Sequence, residues 1–129
     1  MVDLETHGDI ASGHDTGRVA FLEGTGGWVV PMLQRFDHQF EIFGSSDQTT
    51  RPSEVFAQQC MVSFDPDEVA LAFTAERLGA DKILWASDYP HPDAKIPGVV
   101  PELLEAVESL PPESQRLILG ATARAFYHL

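Results

Sequence analysis

Three times along this chain a short apolar run stops at a polar or turn-forming residue and gives way to a helical period. The runs are Arg18-Val19-Ala20-Phe21-Leu22-Glu23, Cys60-Met61-Val62-Ser63-Phe64 and Lys82-Ile83-Leu84-Trp85-Ala86. Their shortness and near-continuous apolar character predict strands buried on both faces, as parallel sheets require. After the first run, Val29, Leu33, Phe36, Phe40 and Phe43 recur at steps of four and three, which predicts a helix from about Trp28 to Phe43 with one stripe facing a sheet. A short helix is expected from Pro52 to about Gln58. After the second run, Asp65 as N-cap, Pro66 at the first position and acids in the first turn predict a helix ending at Gly79. Val69, Leu71, Ala72, Phe73, Ala75 and Leu78 form its apolar set, and Glu68, Glu76 and Arg77 are left for solvent. After the third, Leu103, Leu104, Val107 and Leu110 mark a helix over about Val100 to Leu110. Pro111-Pro112 separates it from a last helical segment, Glu113 to Tyr127, broken near Gly120. Strand and helix in alternation mean parallel strands joined by right-handed crossovers, an α/β fold.

Residues Met1 to Gly17 stand outside this pattern. They hold four acidic residues, no Lys or Arg and three glycines, and read as a flexible tail before a domain over 18–129. His7 and His14 lie in it with no rigid frame to converge on a metal. The formal net charge of −12 excludes nucleic acid and anionic membrane surfaces as partners, since both demand a Lys/Arg surplus. Cys60 is the single cysteine, so no intrachain disulfide forms, and its apolar surroundings suit a buried thiol. No targeting segment or apolar run long enough to span a bilayer is present, which makes a soluble cytoplasmic protein the default expectation.

The chemistry is expected where the third strand ends. Ser87-Asp88-Tyr89-Pro90-His91-Pro92-Asp93 changes polarity abruptly, and its two prolines keep the loop out of helical geometry. In parallel α/β folds the side chains at the C-terminal strand ends face a common mouth. Asp88 occupies that place, and Glu23 ends the first strand on the same edge. By spacing alone, Asp88 suits both a turn cap and a catalytic carboxylate. Gly24-Thr25-Gly26-Gly27 joins strand to helix in a way that could cradle an anion, yet it matches neither nucleotide fingerprint.

These same residues resemble a known family. An apolar strand followed by Ser87-Asp88-Tyr89-Pro90-His91-Pro92-Asp93 is similar to the last barrel strand of the metal-dependent amidohydrolase-2 family, related to aminocarboxymuconate-semialdehyde decarboxylase. Phe21-Leu22-Glu23-Gly24-Thr25-Gly26-Gly27-Trp28 is similar to that family's Phe-Leu-Glu-x-Gly-x-Gly-Trp segment. The resemblance also takes in Arg51-Pro52-Ser53-Glu54 and Cys60 to Asp65. Ala121-Thr122-Ala123-Arg124-Ala125-Phe126-Tyr127 resembles its closing Asn-Ala-x-Arg-x-Tyr helix, with Thr122 departing from the Asn. It covers roughly residue 18 to the end.

The resemblance implies a partial (β/α)8 TIM barrel, about three parallel β-α units from its C-terminal half, because a whole barrel takes about 250 residues. It implies a metal-dependent hydrolase or carboxy-lyase acting on a small-molecule carboxylate or amide. Asp88 would be metal ligand and proton acceptor, Glu23 a second metal ligand, and His91, Trp28 and Arg51 substrate contacts. The cofactor would be a divalent metal, zinc before manganese. The family's His-x-His pair is missing, so the metal is expected to be weakly bound or absent in this chain alone. The alternative is a non-catalytic truncated barrel acting as a self-associating or partner-binding module. Three strands cannot close a barrel, and their bare edges predict a homo-oligomer, capture of a missing N-terminal half, or aggregation.

Overall fold

The computed structural model describes residues 3–7, 17–92, 94 and 96–129. A four-stranded sheet runs in the order β1 (Asp3–His7), β2 (Arg18–Leu22), β3 (Cys60–Phe64), β4 (Ile83–Trp85). The pairs β2–β3 and β3–β4 are parallel, with Phe21 opposite Val62 and Val62 opposite Ile83. The three expected strands form in the expected order. Within the segment expected to be a tail, β1 pairs antiparallel with β2, from Asp3 opposite Leu22 to His7 opposite Arg18.

Six helices accompany the sheet among the described residues: α1 (Val29–Phe43), α2 (Pro52–Gln59), α3 (Leu71–Leu78), α4 (Val99–Ala106), α5 (Pro112–Arg116) and α6 (Thr122–Tyr127). The strands alternate their side chains between two faces. Phe21, Val62, Phe64, Ile83 and Trp85 point to the side of α1–α4, where they pack with Val29, Phe56, Leu71, Leu103, Val107 and Ile118. Burying such a side chain contributes about 1.5–3 kcal/mol, so this face holds most of the core. Ala20, Leu84, Leu22 and Met61 point the other way and are covered by Phe126 and Ala123 of α6.

The helix α6 is tied down at both ends. The Thr122 hydroxyl donates to the Ala80 carbonyl at 3.2 Å in a buried bond, so threonine anchors this helix where the resembled family has asparagine. Arg18 donates to Ala125 O and lies 3.2 Å from His128 Nε2, with its guanidinium over the Phe126 ring. The expected break in the last helix is there, as a π turn over Leu117–Ala121 that Gly120 kinks. The arrangement is one arc of a (β/α)8 barrel: three parallel strands, helices on the outer face, and α6 across part of the inner one.

Several local expectations need correction. The helix expected from Pro66 begins at Leu71: the Glu68 N–H donates to Asp65 O and the Leu71 N–H to Glu68 O, two successive turns, while the Glu68 carboxylate reaches across to the Gly26 N–H. Val69 is therefore 99% exposed rather than part of the core, and Phe73 is half exposed. Glu68, expected in solvent, is half buried. The helix expected to reach Leu110 ends at Ala106, yet Val107 and Leu110 remain buried, while Leu104 is exposed. Only the first turn of α1 is fully buried, at Val29; Phe36 is 48% and Phe43 76% exposed, because no element among the described residues packs on that flank.

Candidate functional site

The parallel strands bring three chain reversals to one edge of the sheet: Glu23 after β2, Asp65 after β3 and Asp88 after β4. Glu23, Thr25 and Asp88 all have φ between +53° and +59°. That left-handed conformation suits an Asp better than most side chains and lets each strand end turn sharply.

At Asp88 the turn is closed by backbone: the His91 N–H donates to the Asp88 carbonyl at 2.8 Å. Tyr89 N–H reaches the Ser87 hydroxyl at 3.4 Å, and the Tyr89–Pro90 peptide is cis. The side chain that could have capped this turn is thereby released. The Asp88 carboxylate, about one-third exposed, makes no hydrogen bond among the described residues, and its Oδ2 lies 3.9 Å from His91 Nδ1. A protonated His91 would form an ion pair across that gap; a neutral one leaves the carboxylate free to accept a proton or hold a cation. Asp93, like His14, lies outside the described residues.

Glu23 stands on the same edge, exposed to solvent. The glycine turn that follows is held from two sides. The Trp28 indole N–H is shared between the Gly24 carbonyl at 3.1 Å and the Thr25 carbonyl at 2.8 Å. From the other side both Glu68 oxygens accept the Gly26 N–H, at 3.0 and 3.1 Å. The turn does hold an anion, and that anion is the chain's own. Gly26 is needed there for space, because a Cβ would collide with the Phe64 ring. Glu68 went unrecognised as a site residue in the sequence, although Asp65-x-x-Glu68 has the spacing with which a Glu reaches back to a cap N–H.

Trp28 thus spends its indole N–H on the turn. Its ring meets Phe21 edge-on at 5.7 Å and lines, with Met32, Leu33, Phe36 and Phe56, an apolar cavity of about 540 Å³ on the outer face. Arg51 is not brought to this edge. It pairs with Glu41 at 2.9 Å near the end of α1, and α1 runs away from the Asp88 end because β2 and β3 are parallel. Cys60 begins β3 at that far end as well, and burial pushes its thiol pKa up.

Among the described residues no three His, Cys, Asp or Glu side chains come close enough to hold a metal ion. A catalytic zinc needs about three protein ligands and one open position. Asp88 and Glu23 with His91 do not make that set, so the residues described do not by themselves fit a tightly held metal.

Comparison with known proteins gives a family model, described as amidohydrolase, that matches residues 16–129. No curated protein matches the chain. Among solved structures that resemble it is the crystal structure of 5-carboxyvanillate decarboxylase LigW from Sphingomonas paucimobilis, with a TM-score of 0.55 and 24% sequence identity. The alignment covers 78% of this chain and 31% of that one. The likeness extends to fold, and the chain spans about a third of the solved protein's length. No helix among the described residues is long and apolar enough to cross a membrane.

Proposed function

This chain belongs to the amidohydrolase family, and from that premise we propose that it is the C-terminal portion of a metal-dependent hydrolase or carboxy-lyase acting on a small carboxylate or amide. The observation that carries the reading is the Asp88 carboxylate. It stands at a C-terminal strand end, where such folds do their chemistry, without a hydrogen bond among the described residues and with His91 Nδ1 at 3.9 Å.

Asp88 is the group that accepts and returns a proton, and His91 orients its Oδ2. Glu23 is a second oxygen donor on the same edge. Trp28 and Glu68 keep the turn that carries Glu23 fixed, the first by its carbonyls and the second by an N–H. A bound divalent metal would supply activation of water or polarisation of a carboxylate. Asp88 and Glu23 are the oxygen ligands this chain would offer it, and further ligands would have to come from outside the described residues. Arg51 stands at the opposite end of the strands from Asp88, paired with Glu41.

The test is metal content and affinity of the purified chain beside Asp88→Ala. We expect zinc or manganese well below one per chain, and lower still after the substitution. An Asp88→Ala protein that holds metal as the wild type does would remove Asp88 from the role. A second reading, a non-catalytic module, is favoured by one observation: the described residues complete no metal site.

A further inference from the structure

The outer flank of α1 is apolar, and no element among the described residues covers it. Met32 is 41% exposed, Phe36 48% and Phe43 76%, and Val55 of α2 lies exposed beside them. Two cavities of about 540 and 550 Å³ open along this flank and share Leu33, Phe36 and Phe56 in their walls. At roughly 200 Å² for an aromatic side chain and somewhat less for Met and Val, the four exposed residues present on the order of 400 Å² of largely apolar surface. That is already near the largest patch an ordinary monomer shows.

Two kinds of occupant fit a barrel arc, and the edge of β2 separates them. A preceding β-α unit would bring its strand to pair with β2 in parallel and its helix to rest on α1. The edge of β2, however, is already paired along its length with β1, antiparallel. A hairpin strand carries no crossover helix, so β1 satisfies the backbone edge and leaves the helix layer uncovered. On this side of the sheet, what the described residues leave uncovered is a helix face.

We propose that this face is covered by the same face of a second copy of the chain, α1 packing antiparallel on α1 across a two-fold axis. The spacing suits it. About an axis level with position 38, Phe36 of one copy stands opposite Phe40 of the other and Leu33 opposite Phe43, with Met32 one residue from the Phe43 level, so one stripe serves both sides, as an isologous contact requires. Two such patches bury on the order of 800 Å² of apolar surface. With the flanking Gln39 and Arg35 the contact reaches the roughly 1,000 Å² a specific interface needs. Each copy carries a net charge of −12, so pairing occurs against mutual repulsion and strengthens with added salt. The contact lies on the outer face, so the loop of Asp88 stays open in the dimer.

The experiment is sedimentation velocity on the full chain across the micromolar range, at low and moderate salt, with Phe43→Glu, Phe36→Glu and Val69→Glu alongside. The expected mass is twice the 14.2 kDa of the chain, with a dimer fraction that rises with salt. Phe43 is 76% exposed, so Phe43→Glu leaves the circular dichroism spectrum unchanged, and the melting temperature unchanged at concentrations where both proteins are monomeric, while weakening dimerisation about tenfold or more. Phe36→Glu, half buried against its own chain, weakens dimerisation as well. Val69→Glu, at a side chain that is 99% exposed and lines a hollow with Glu102 and Glu105 rather than the Phe36–Phe43 stripe, leaves the dimer intact. A chain that stays monomeric at every concentration overturns the proposal. So does a dimer indifferent to Phe36 and Phe43, one broken by Val69→Glu, or association that weakens with salt. Because the Asp88 metal test reads a different face, either inference can fail while the other stands.

Discussion

Removing the Glu68 carboxylate is the sharpest probe of how the mouth is built. It accepts the Gly26 N–H with both oxygens, at 3.0 and 3.1 Å, and the Asp65 N–H at 2.9 Å. The paired contacts to Gly26 share one donor and count as one bond. Hydrogen bonds to a charged group contribute about 1.5–3 kcal/mol. The Asp65 bond is exposed and falls at or below the low end. Gly26 is buried, and its N–H would be left without a partner beside the Phe64 ring, which adds a desolvation cost. Glu68→Ala should therefore lose about 2–3 kcal/mol. Glu68→Gln keeps one acceptor oxygen and should lose about 1 kcal/mol. For a domain of this size each kcal/mol is worth about 3–5 °C in Tm, so the melts should fall by about 6–15 °C and 3–5 °C. Urea unfolding followed by circular dichroism gives the free energies. Trp28 fluorescence reports on the turn, since its indole N–H is bonded there. A Glu68→Ala protein within about 0.5 kcal/mol of wild type, the range of an ordinary surface substitution, would refute the argument that this carboxylate holds the turn.

Two further predictions concern the ends of the sheet. Thr122→Val removes the buried donor to Ala80 O and should cost about 1–2 kcal/mol, with Thr122→Ser near neutral in the same unfolding assay. The raised Cys60 pKa, caused by burial, keeps the thiol protonated to higher pH in the folded chain than in the unfolded one. Iodoacetamide should then label Cys60 more slowly than a free thiol at mildly alkaline pH, and denaturant should restore the ordinary rate. Because unfolding releases a proton from this group above its ordinary pKa, its contribution also weakens folding as the solution becomes alkaline.

The sequence announces the strands and α1 because each depends on a local period. An apolar run of five or six residues or a stripe at steps of four and three survives almost any context. What escaped depends on atoms far apart in sequence. The start of α3 differs from the expectation because Asp65-Pro66-Asp67-Glu68 satisfies the rules for a helix start, while Glu68 is shared with Gly26, 42 residues earlier, and 65–71 fold as two successive turns. Arg51 looked like a substrate anchor until the direction of α1 took it to the opposite end. The β1 strand escaped because a polar, glycine-flanked stretch carries no period of its own and pairs only where the edge of β2 is open. At Asp88 the position was legible. What could not be read was that the backbone closes the turn and leaves the carboxylate without a hydrogen bond among the described residues.

The clasp between Arg18 and α6 also sets an order of events during synthesis. Its bonds join residues 107 and 110 positions apart, so nothing can form them until the last turn has left the ribosome. Until then Ala20, Leu22, Met61 and Leu84 have no cover on the inner face, although the outer core, built from neighbouring β-α units, can already assemble. A nascent chain therefore carries a sticky, half-covered sheet until α6 has emerged, and α6 is the piece that closes its inner face.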